Sequence, residues 1–509
     1  MNANAALWFV DRHPDEGRAG KAAFREARPG GRELTYGALA TGSAEVAGAL
    51  GRAGVRREER AALLVLDRIE FPLVFWGCLK AGVVPAALNT LLATEVYRKI
   101  LADSRAAIAF VSAELLEVVL PAARDSAHLR EIVVVGGDAP EGTTSWDDFV
   151  DGAAPASAVD CTDDEIAFWL YSSGSTGAPK GVRHVHGALR VTCDTYAGGV
   201  LGLREDDVVF SAAKLFFAYG LGNGMSFPLS VGATALLLDA RPTPESVSAV
   251  LETHRPTVFF GVPTLYAALV HRWEGEGGRP EAPLRTCVSA GEALPAEIAR
   301  RWKALCGVDI LDGVGSTEML HIFLSNRPGD IVYGTSGTAV PGYDLRLVDE
   351  RGAEVDAGEV GELLVRGDSA AADYWNQRGK SRATFEGEWT RTGDKYERNA
   401  AGRLVYCGRT DDMFKVSGIW VSPFEVEQAL MEHPGVLEAA VVAHRDEDEL
   451  EKPKAFVVLK EGAEGIDDLK DFVKDRIGKW KYPRWVEIVD DLPKTATGKI
   501  QRFVLRGGA

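Results

Sequence analysis

The chain has 509 residues, of which 46% are hydrophobic and 26% are charged, and its formal net charge is −17. This length exceeds what one hydrophobic core organises, so we expect two or more domains. The acidic balance argues against nucleic acid as a partner, because neutralising phosphates requires a basic surface. It argues in the same way against an anionic membrane surface.

The cysteines and the apolar segments indicate a cellular compartment. Six cysteines are scattered without a Cys-x-x-Cys pair, which is typical of reduced thiols and predicts a cytoplasmic protein. No basic region followed by a long apolar run opens the sequence, so we expect no signal peptide. Lys80 interrupts the longest apolar stretch, so we expect no membrane span.

Helical and strand patterns alternate over the first third of the chain. Leu34–Leu50 and Glu70–Ala81 have apolar residues at helical spacing, whereas Ala61–Leu66 and Glu131–Val135 are short apolar runs typical of buried strands. Strands that alternate with helices predict an α/β fold with a largely parallel sheet.

A stretch rich in glycine and hydroxyl groups, 171–181, follows the apolar run Glu165–Leu170. Its backbone N–H groups, small hydroxyls and Lys180 could hold phosphate oxygens in a loop that leaves a strand. The alternatives are a flexible surface loop and the P-loop of kinases and GTPases. Pro179 and Gly181 stand where a P-loop has glycine and a magnesium-binding hydroxyl, which counts against that motif.

Three further stretches have the residue types of a ligand site. Apolar runs end in the small-residue loops 289–292 and 312–318, each of which carries a carboxylate, and ligands of open α/β sheets bind at such strand ends. Tight turns with solvated acids are the alternative. The aromatic and glycine residues of 214–224 could pack in the core or form a flat wall for a planar substrate. His184 and His186 would share a strand face, and we interpret them as a polar pair, not a metal site.

The composition changes after about residue 330. Three alternating segments predict a small β subdomain: Glu359–Gly367, Trp389–Asp394 and Gly402–Gly408. Beyond the charged junction 408–412, two helical and two strand patterns predict a separate α+β domain: Pro423–Met431, 467–477, Ala439–Ala443 and Ala455–Leu459. We therefore place the domain boundary near Asp411, with domains 1–410 and 411–509.

Six short motifs resemble, in the same order, those of the adenylate-forming superfamily, which contains acyl-CoA synthetases, carrier-protein adenylation domains and luciferases. The motifs are 171–181, Ser289–Glu292, Gly315–Glu318, Thr392–Asp394, Gly408–Asp412 and Pro493–Lys499. The resemblance implies an α/β fold with a large N-terminal domain of mostly parallel α/β layers, a small β subdomain and a small mobile α+β C-terminal domain.

The resemblance also implies ATP, Mg²⁺ and coenzyme A as cofactors, and it assigns roles to the motif residues. The phosphates of ATP would be held by Ser172, Ser173, Gly174, Ser175, Thr176, Gly177 and Lys180. The adenine would be lined by Gly291, Glu292, Asp312 and Gly313, and the ribose would lie beside Asp394 and Arg409. Thr317 would contact the α-phosphate, Glu318 would bind Mg²⁺, and Lys499 would be the catalytic lysine. Asp411 would be the hinge, and Lys415, Ser417, Gly418 and Trp420 would face coenzyme A.

Two segments, 214–223 and 315–326, more closely resemble the benzoate–CoA ligase branch. That likeness implies an acid pocket lined by Phe217, Ala218, Tyr219, Gly315, His321 and Ile322. Such a pocket would accept one ring and exclude a long fatty chain. His321 could be a satisfied core histidine, or it could hydrogen-bond a ring substituent such as an ortho amino or hydroxyl group.

The sequence therefore predicts an ATP-dependent aryl-CoA ligase for benzoate or a ring-substituted relative such as 2-aminobenzoate. It would act without nucleic acid or membrane, as a monomer or homodimer. The closest alternative loads an aryl acid onto a free carrier protein. A luciferase-like oxygenase would share the ATP motifs, a P-loop phosphotransferase would release ADP, and a non-catalytic binding protein would be expected to have lost Glu318, Asp394 or Lys499.

Overall fold

The computed structural model describes residues 2–173, 179–410, 412–416, 419–447, 450–460, 462–463, 468–479, 481–494 and 500–507. Two large mixed sheets form most of the N-terminal region. The strands of the first, in spatial order, are Thr338–Ala339, Ile322–Ser325, Ile310–Gly315, Thr286–Ser289, Val258–Gly261, Val208–Ser211, Thr234–Leu237, Ala22–Glu26 and Glu33–Thr35. The strands of the second are Asp373–Tyr374, Pro179–Val185, Ile166–Ser173, Val84–Ala87, Arg60–Leu64, Ala106–Ser112, Glu131–Val135 and Thr144–Ser145.

Helices connect and cover these sheets. The α-helices up to residue 384 are Tyr36–Arg52, Glu70–Ala81, Thr94–Ser104, Leu116–Arg124, Trp146–Val150, His186–Thr192, Ala218–Leu221, Phe227–Val231, Pro244–His254, Pro263–Gly275, Ala296–Cys306 and Arg378–Thr384. Shorter or wider helical turns are Leu7–Asp11, Pro14–Arg18, Ala113–Leu115, Cys193–Gly198 and Gly222–Ser226. No helix in these described ranges is long and apolar enough to cross a membrane.

Helix Glu70–Ala81 shows how the core accommodates a charged residue within an apolar segment. The helix is buried on almost every side, and Lys80 is only 2% exposed. Its Nζ donates to Asp11 Oδ1 at 2.6 Å and to the Ala40 carbonyl at 2.9 Å. A buried ammonium is tolerated when it is paired and hydrogen-bonded, so the lysine that interrupts the apolar stretch is part of the packing.

A smaller sheet and a C-terminal unit complete the fold. The smaller sheet contains Asp344–Val348, Val360–Arg366, Phe385–Glu386, Trp389–Arg398 and Leu404–Arg409. The C-terminal unit contains strands Phe414–Val416, Ile419–Val421, Val436–Arg445, Glu451–Leu459 and Trp485–Ile488, and helices Pro423–Met431, Leu469–Ile477 and Arg502–Gly507. Its apolar residues pack in clusters of their own, separate from the N-terminal core, as expected for a distinct domain.

The α/β fold class is confirmed, and the strand order shows one feature that the sequence patterns did not predict. Parallel pairs fill the interior of both large sheets, but strands Ile166–Ser173 and Pro179–Val185 pair antiparallel. The two strands on either side of the predicted phosphate loop therefore form an antiparallel pair, which we call the hairpin. His184 lies in strand Pro179–Val185, whereas His186 begins helix His186–Thr192. The prediction that the two histidines share a strand face is therefore wrong.

Candidate active site

Two small-residue loops meet at one edge of the first sheet. Strands Thr286–Ser289 and Ile310–Gly315 are parallel neighbours, with Ser289 opposite Asp312, so the loops at their carboxyl ends lie side by side. Gly291 has φ of 100°, a conformation that side chains rarely adopt. The predicted adenine-lining residues of both loops are thus brought together.

Asp312 is a buried acidic residue near the carboxyl ends of these two strands. It is 7% exposed, and burial raises the pKa of its carboxyl well above the usual range. Its Oδ1 atom has no hydrogen-bond partner within the described part of the chain. A buried acceptor without a partner costs free energy until a donor reaches it, so the site is suited to a ligand with an N–H or O–H group.

Glu318 follows strand Ile310–Gly315 and lies close to Lys180, a predicted phosphate-binding residue. Lys180 Nζ lies 3.7 Å from Glu318 Oε1, and both side chains are mostly buried. The hydroxyl of Tyr374 donates to the same Oε1 at 2.7 Å, and the Tyr374 ring lies 4.3 Å from Lys180 Nζ. A carboxylate oxygen is a ligand that Mg²⁺ prefers, so Glu318 fits the predicted metal role. The described residues contain no cluster of three or more His, Cys, Asp or Glu that could hold a metal ion.

The predicted phosphate loop is described at its two ends. Ser172 pairs with Lys180 across the hairpin, and Ser173 pairs with Pro179. The Ser172 hydroxyl is buried and has no partner among the residues whose positions are described. Gly174, Ser175, Thr176 and Gly177 lie outside the described residues.

His184, on the same hairpin, gives the protein a defined acid sensitivity. Burial lowers its pKa from 6.5 to about 3. Below pH 6.5 the unfolded chain binds a proton at this histidine that the folded chain does not. The free energy of unfolding is therefore at its full value above pH 6.5 and decreases as pH falls from 6.5 towards 3. Between pH 6.5 and 5 the loss is about 2 kcal/mol.

We expect His184→Phe, which keeps the ring stacked on Phe168 at 5.1 Å, to remove this acid-dependent part of the unfolding free energy. The measurement is the difference in unfolding free energy between pH 6.5 and 5 for wild type and variant. His128→Phe at an exposed position is the matched control and should follow wild type. Equal pH dependence for wild type and His184→Phe would contradict the prediction.

The predicted ribose residues face each other across a strand pair. Asp394, in Trp389–Arg398, lies opposite Arg409, in Leu404–Arg409. Arg409 donates to Asp394 Oδ1 and to the Thr392 carbonyl, each at 3.0 Å. The pKa of Arg409 is raised, first by Asp394 and also by the more distant Glu318 carboxylate. Arg409 and Asp394 therefore lie close enough to Glu318 for electrostatic interaction.

A cavity of about 150 Å³ adjoins the two loops, and all six predicted acid-contacting residues line it. Its lining residues are Ala213, Phe217, Ala218, Tyr219, Val262, Thr264, Ala290, Gly291, Glu292, Gly315, Ser316, Thr317, Leu320, His321 and Ile322. Drug-sized ligands occupy pockets of roughly 300–1,000 Å³, so this volume suits a much smaller molecule. Sequence reasoning missed Val262 and Thr264, although their place just beyond strand Val258–Gly261 was a usable signal.

Tyr219 gives the cavity an apolar wall. Its hydroxyl donates to the carbonyls of Gly261 and Val288, at 3.3 and 3.2 Å, and is therefore directed at the sheet. Its ring lies 5.6 Å from the ring of His321 and 6.1 Å from that of Phe260. Tyr219 is thus the residue of the aromatic segment whose ring lines the cavity beside His321.

His321 is a polar residue of the cavity wall. It is 3% exposed, and burial lowers its pKa to about 3, so the imidazole is neutral at physiological pH. Its Nε2 is 3.1 Å from Asn223 Oδ1, which favours the tautomer with a proton on Nε2. Nδ1 makes no hydrogen bond in the described structure, and the Tyr219 backbone, which raises the pKa of the ring, lies nearby. Sequence reasoning did not identify Asn223 as the partner of this histidine.

Ile500, next to the predicted catalytic lysine, connects the C-terminal unit to the site. The Ile500 N–H donates to Glu292 Oε1 at 3.0 Å. Lys499 itself, like Asp411, Ser417 and Gly418, lies outside the described residues. Lys415 and Trp420 are described by their backbones, which pair directly in a short hairpin.

Two family models match the chain. The model described as AMP-binding enzyme matches residues 10–375, and the model described as AMP-binding enzyme C-terminal domain matches residues 425–499. The first match covers more than half of the chain. The resemblance based on the six motifs is therefore confirmed.

Similarity to individual proteins defines the branch of the family more closely. The chain is 54% identical to the 4-hydroxybenzoate–CoA/benzoate–CoA ligase of Rhodopseudomonas palustris, over 99% of this chain and 94% of that protein. It is similar to the structure of a benzoate CoA ligase from Burkholderia xenovorans, with 50% identity, a TM-score of 0.91 and coverage of 99% and 100%. It is also similar to the anthranilate CoA ligase AuaEII in complex with anthranoyl-AMP, with 42% identity, a TM-score of 0.95 and coverage of 100% and 97%. The chain belongs to the family of AMP-binding enzymes and, within this adenylate-forming superfamily, to the branch that resembles benzoate–CoA ligases.

Proposed function

We propose that this protein is an AMP-forming aryl-CoA ligase that activates benzoate or a small ring-substituted benzoate. The observation that carries the proposal is the 150 Å³ cavity, whose walls combine the predicted acid-contacting residues with Gly291, Glu292 and Thr317 of the nucleotide loops. The relatives named as benzoate and anthranilate CoA ligases support the same substrate class.

The first step joins two anions. The aryl carboxylate attacks the α-phosphorus of ATP, the bond to the β-phosphate oxygen breaks, and pyrophosphate leaves. Lys180 offsets charge on the leaving group, while Lys499 bridges the carboxylate and the α-phosphate, beside Thr317. Mg²⁺, when bound at Glu318, neutralises further negative charge on the phosphates. The product is an aroyl-adenylate.

The second step forms the thioester. The thiolate of coenzyme A attacks the carbonyl carbon of the aroyl-adenylate, and AMP leaves with its electron pair. We propose that domain 411–509 rotates about Asp411 between the two steps, withdrawing Lys499 and bringing Lys415 to Trp420 towards coenzyme A. The separate apolar clusters of the C-terminal unit support its movement as one body.

The proposal is tested by measuring AMP and pyrophosphate formed from ATP and Mg²⁺. Benzoate and 2-aminobenzoate are supplied in parallel, each with and without coenzyme A. We expect both products only when an aryl acid is present, and repeated turnover only when coenzyme A is also present. Acid-dependent AMP without turnover by coenzyme A would indicate a carrier protein as the acceptor, and ADP would overturn the proposal.

His321 should determine how ring substituents are discriminated. We propose that its Nδ1 accepts a hydrogen bond from an amino or hydroxyl group on the ring. In His321→Leu, kcat/KM for 2-aminobenzoate relative to benzoate should fall by about 2- to 12-fold, the value of one neutral hydrogen bond of 0.5–1.5 kcal/mol. Benzoate, which lacks the donor, is the internal control, and an unchanged ratio would contradict this role.

The proposed location is the cytoplasm. All six cysteines are buried and unpaired, which is compatible with a reducing compartment. Fractionation of cells that produce the protein at its natural level is the direct measurement.

A further inference from the structure

Tyr374 contacts two charged residues of the site, and neither contact has a part in the function described so far. Its hydroxyl donates to Glu318 Oε1 at 2.7 Å. Its ring face lies 4.3 Å from Lys180 Nζ, within the range of a cation–π interaction. One side chain therefore touches both the proposed metal-binding carboxylate and the proposed phosphate-binding ammonium.

The position of Tyr374 is fixed by its surroundings. Strand Asp373–Tyr374 pairs antiparallel with the strand that carries Lys180, with Tyr374 opposite Val182. The residue is 4% exposed, and its ring packs 5.3 Å from that of Phe385. Its N–H donates to Ser381 Oγ at 3.1 Å. The hydroxyl is therefore held rigidly relative to the hairpin.

The arrangement of charges around the Tyr374 hydroxyl indicates what the hydroxyl does. Lys180 Nζ and Glu318 Oε1 are 3.7 Å apart, close enough to attract strongly but beyond the length of a hydrogen bond. A direct ion pair would occupy the groups that should bind ATP and the metal. Because Tyr374 donates to Oε1 and its ring faces the ammonium, each charge of this ion pair has Tyr374 as a second partner.

We propose that Tyr374 is a positioning residue that orients the Glu318 carboxylate for Mg²⁺ and keeps Lys180 free for the phosphates of ATP. The inference rests on the proposed function, because it assigns Glu318 to Mg²⁺ and Lys180 to phosphate.

The first test measures ligand binding without catalysis. ATP is added to wild type and to Tyr374→Phe at increasing Mg²⁺ concentrations, and the rise in Tm is recorded relative to each protein without ligand. Loss of a group that supports a metal ligand typically weakens metal binding by about 10- to 100-fold. We expect the Mg²⁺ concentration at half-maximal stabilisation to rise by about this factor in Tyr374→Phe.

A matched control removes another buried hydroxyl. The Tyr36 hydroxyl donates to the Ala233 carbonyl at 2.6 Å, away from the site, so Tyr36→Phe should keep the wild-type Mg²⁺ dependence. A double-mutant cycle adds specificity. Once Glu318→Gln has removed the carboxylate, Tyr374→Phe should have little further effect on the Mg²⁺ titration, since the two changes act through one interaction.

Superimposable Mg²⁺ titrations for wild type and Tyr374→Phe, with a clear shift for Glu318→Gln, would overturn the inference. If wild type formed no AMP and pyrophosphate with any aryl acid, the proposed function would fail instead, so the two failures are distinguishable. Should Tyr374→Phe not fold, Phe385→Leu loosens the packing of Tyr374 and keeps its hydroxyl. That variant should also require more Mg²⁺, and an unchanged requirement would again overturn the inference.

Discussion

Lys499→Ala is expected to slow formation of the aroyl-adenylate by about 10²–10³, the usual effect of removing one preorganised donor at a developing charge. Thioester formation from a supplied aroyl-adenylate and coenzyme A should stay near the wild-type rate, because that step has no second anion to bridge. The neighbouring Ile500 N–H bonds to Glu292, which supports a place for this segment at the nucleotide loops. Pyrophosphate release and thioester formation are measured separately.

Lys494→Ala is the matched control, since it removes a lysine from the same closing segment. Lys494 Nζ lies 2.7 Å from Glu438 and 3.1 Å from Asp491, both in the C-terminal unit. Both half-reactions should keep their wild-type rates in this variant. Equal losses of the two half-reactions in Lys499→Ala would indicate a general defect and would contradict the assignment.

Asp394→Asn is expected to raise KM for ATP by about 10- to 150-fold with a smaller change in kcat. The carboxylate is proposed to accept hydrogen bonds from the ribose, and a hydrogen bond to a charged group contributes about 1.5–3 kcal/mol. Binding lost equally from the ground state and the transition state appears in KM. The variant also weakens the contact with Arg409, which lies at 3.0 Å.

Asp344→Asn provides the comparison for this effect. Asp344 pairs with Arg366 at 2.6 Å in the same small sheet, but the pair is exposed, and this ion pair involves no proposed ATP-binding residue whose position is described. Its loss should leave KM for ATP unchanged. If Asp394→Asn behaved like Asp344→Asn, the ribose site would have to lie elsewhere.

Local patterns in the sequence were sufficient to predict many elements of the fold. Helices Glu70–Ala81 and Pro423–Met431 have the predicted bounds because apolar spacing and, at Pro423, a fixed φ define them locally. The pocket residues came from a resemblance, which already contains the effect of three-dimensional packing.

Contacts between distant segments could not be predicted in this way. Tyr374 reaches Glu318 only because a two-residue strand pairs with the 179–185 strand, and its sequence has no signal for that pairing. Asn223 meets His321 across 98 positions of sequence, through the packing of two loops. The antiparallel hairpin was likewise missed, since parallel and antiparallel buried strands have similar apolar patterns.

The residues around the cavity also indicate how its substrate range could be redesigned. A methyl group added at Gly315 would come within 2.5 Å of the His321 carbonyl, and one at Gly222 within 2.4 Å of the His321 ring. Main-chain atoms therefore limit the side at Gly315, whereas the His321 side chain limits the side at Gly222. Tyr219 and the Phe227 ring, 4.3 Å from His321, remain as removable bulk. A library intended to admit larger acids should diversify positions 219 and 227 and leave both glycines intact.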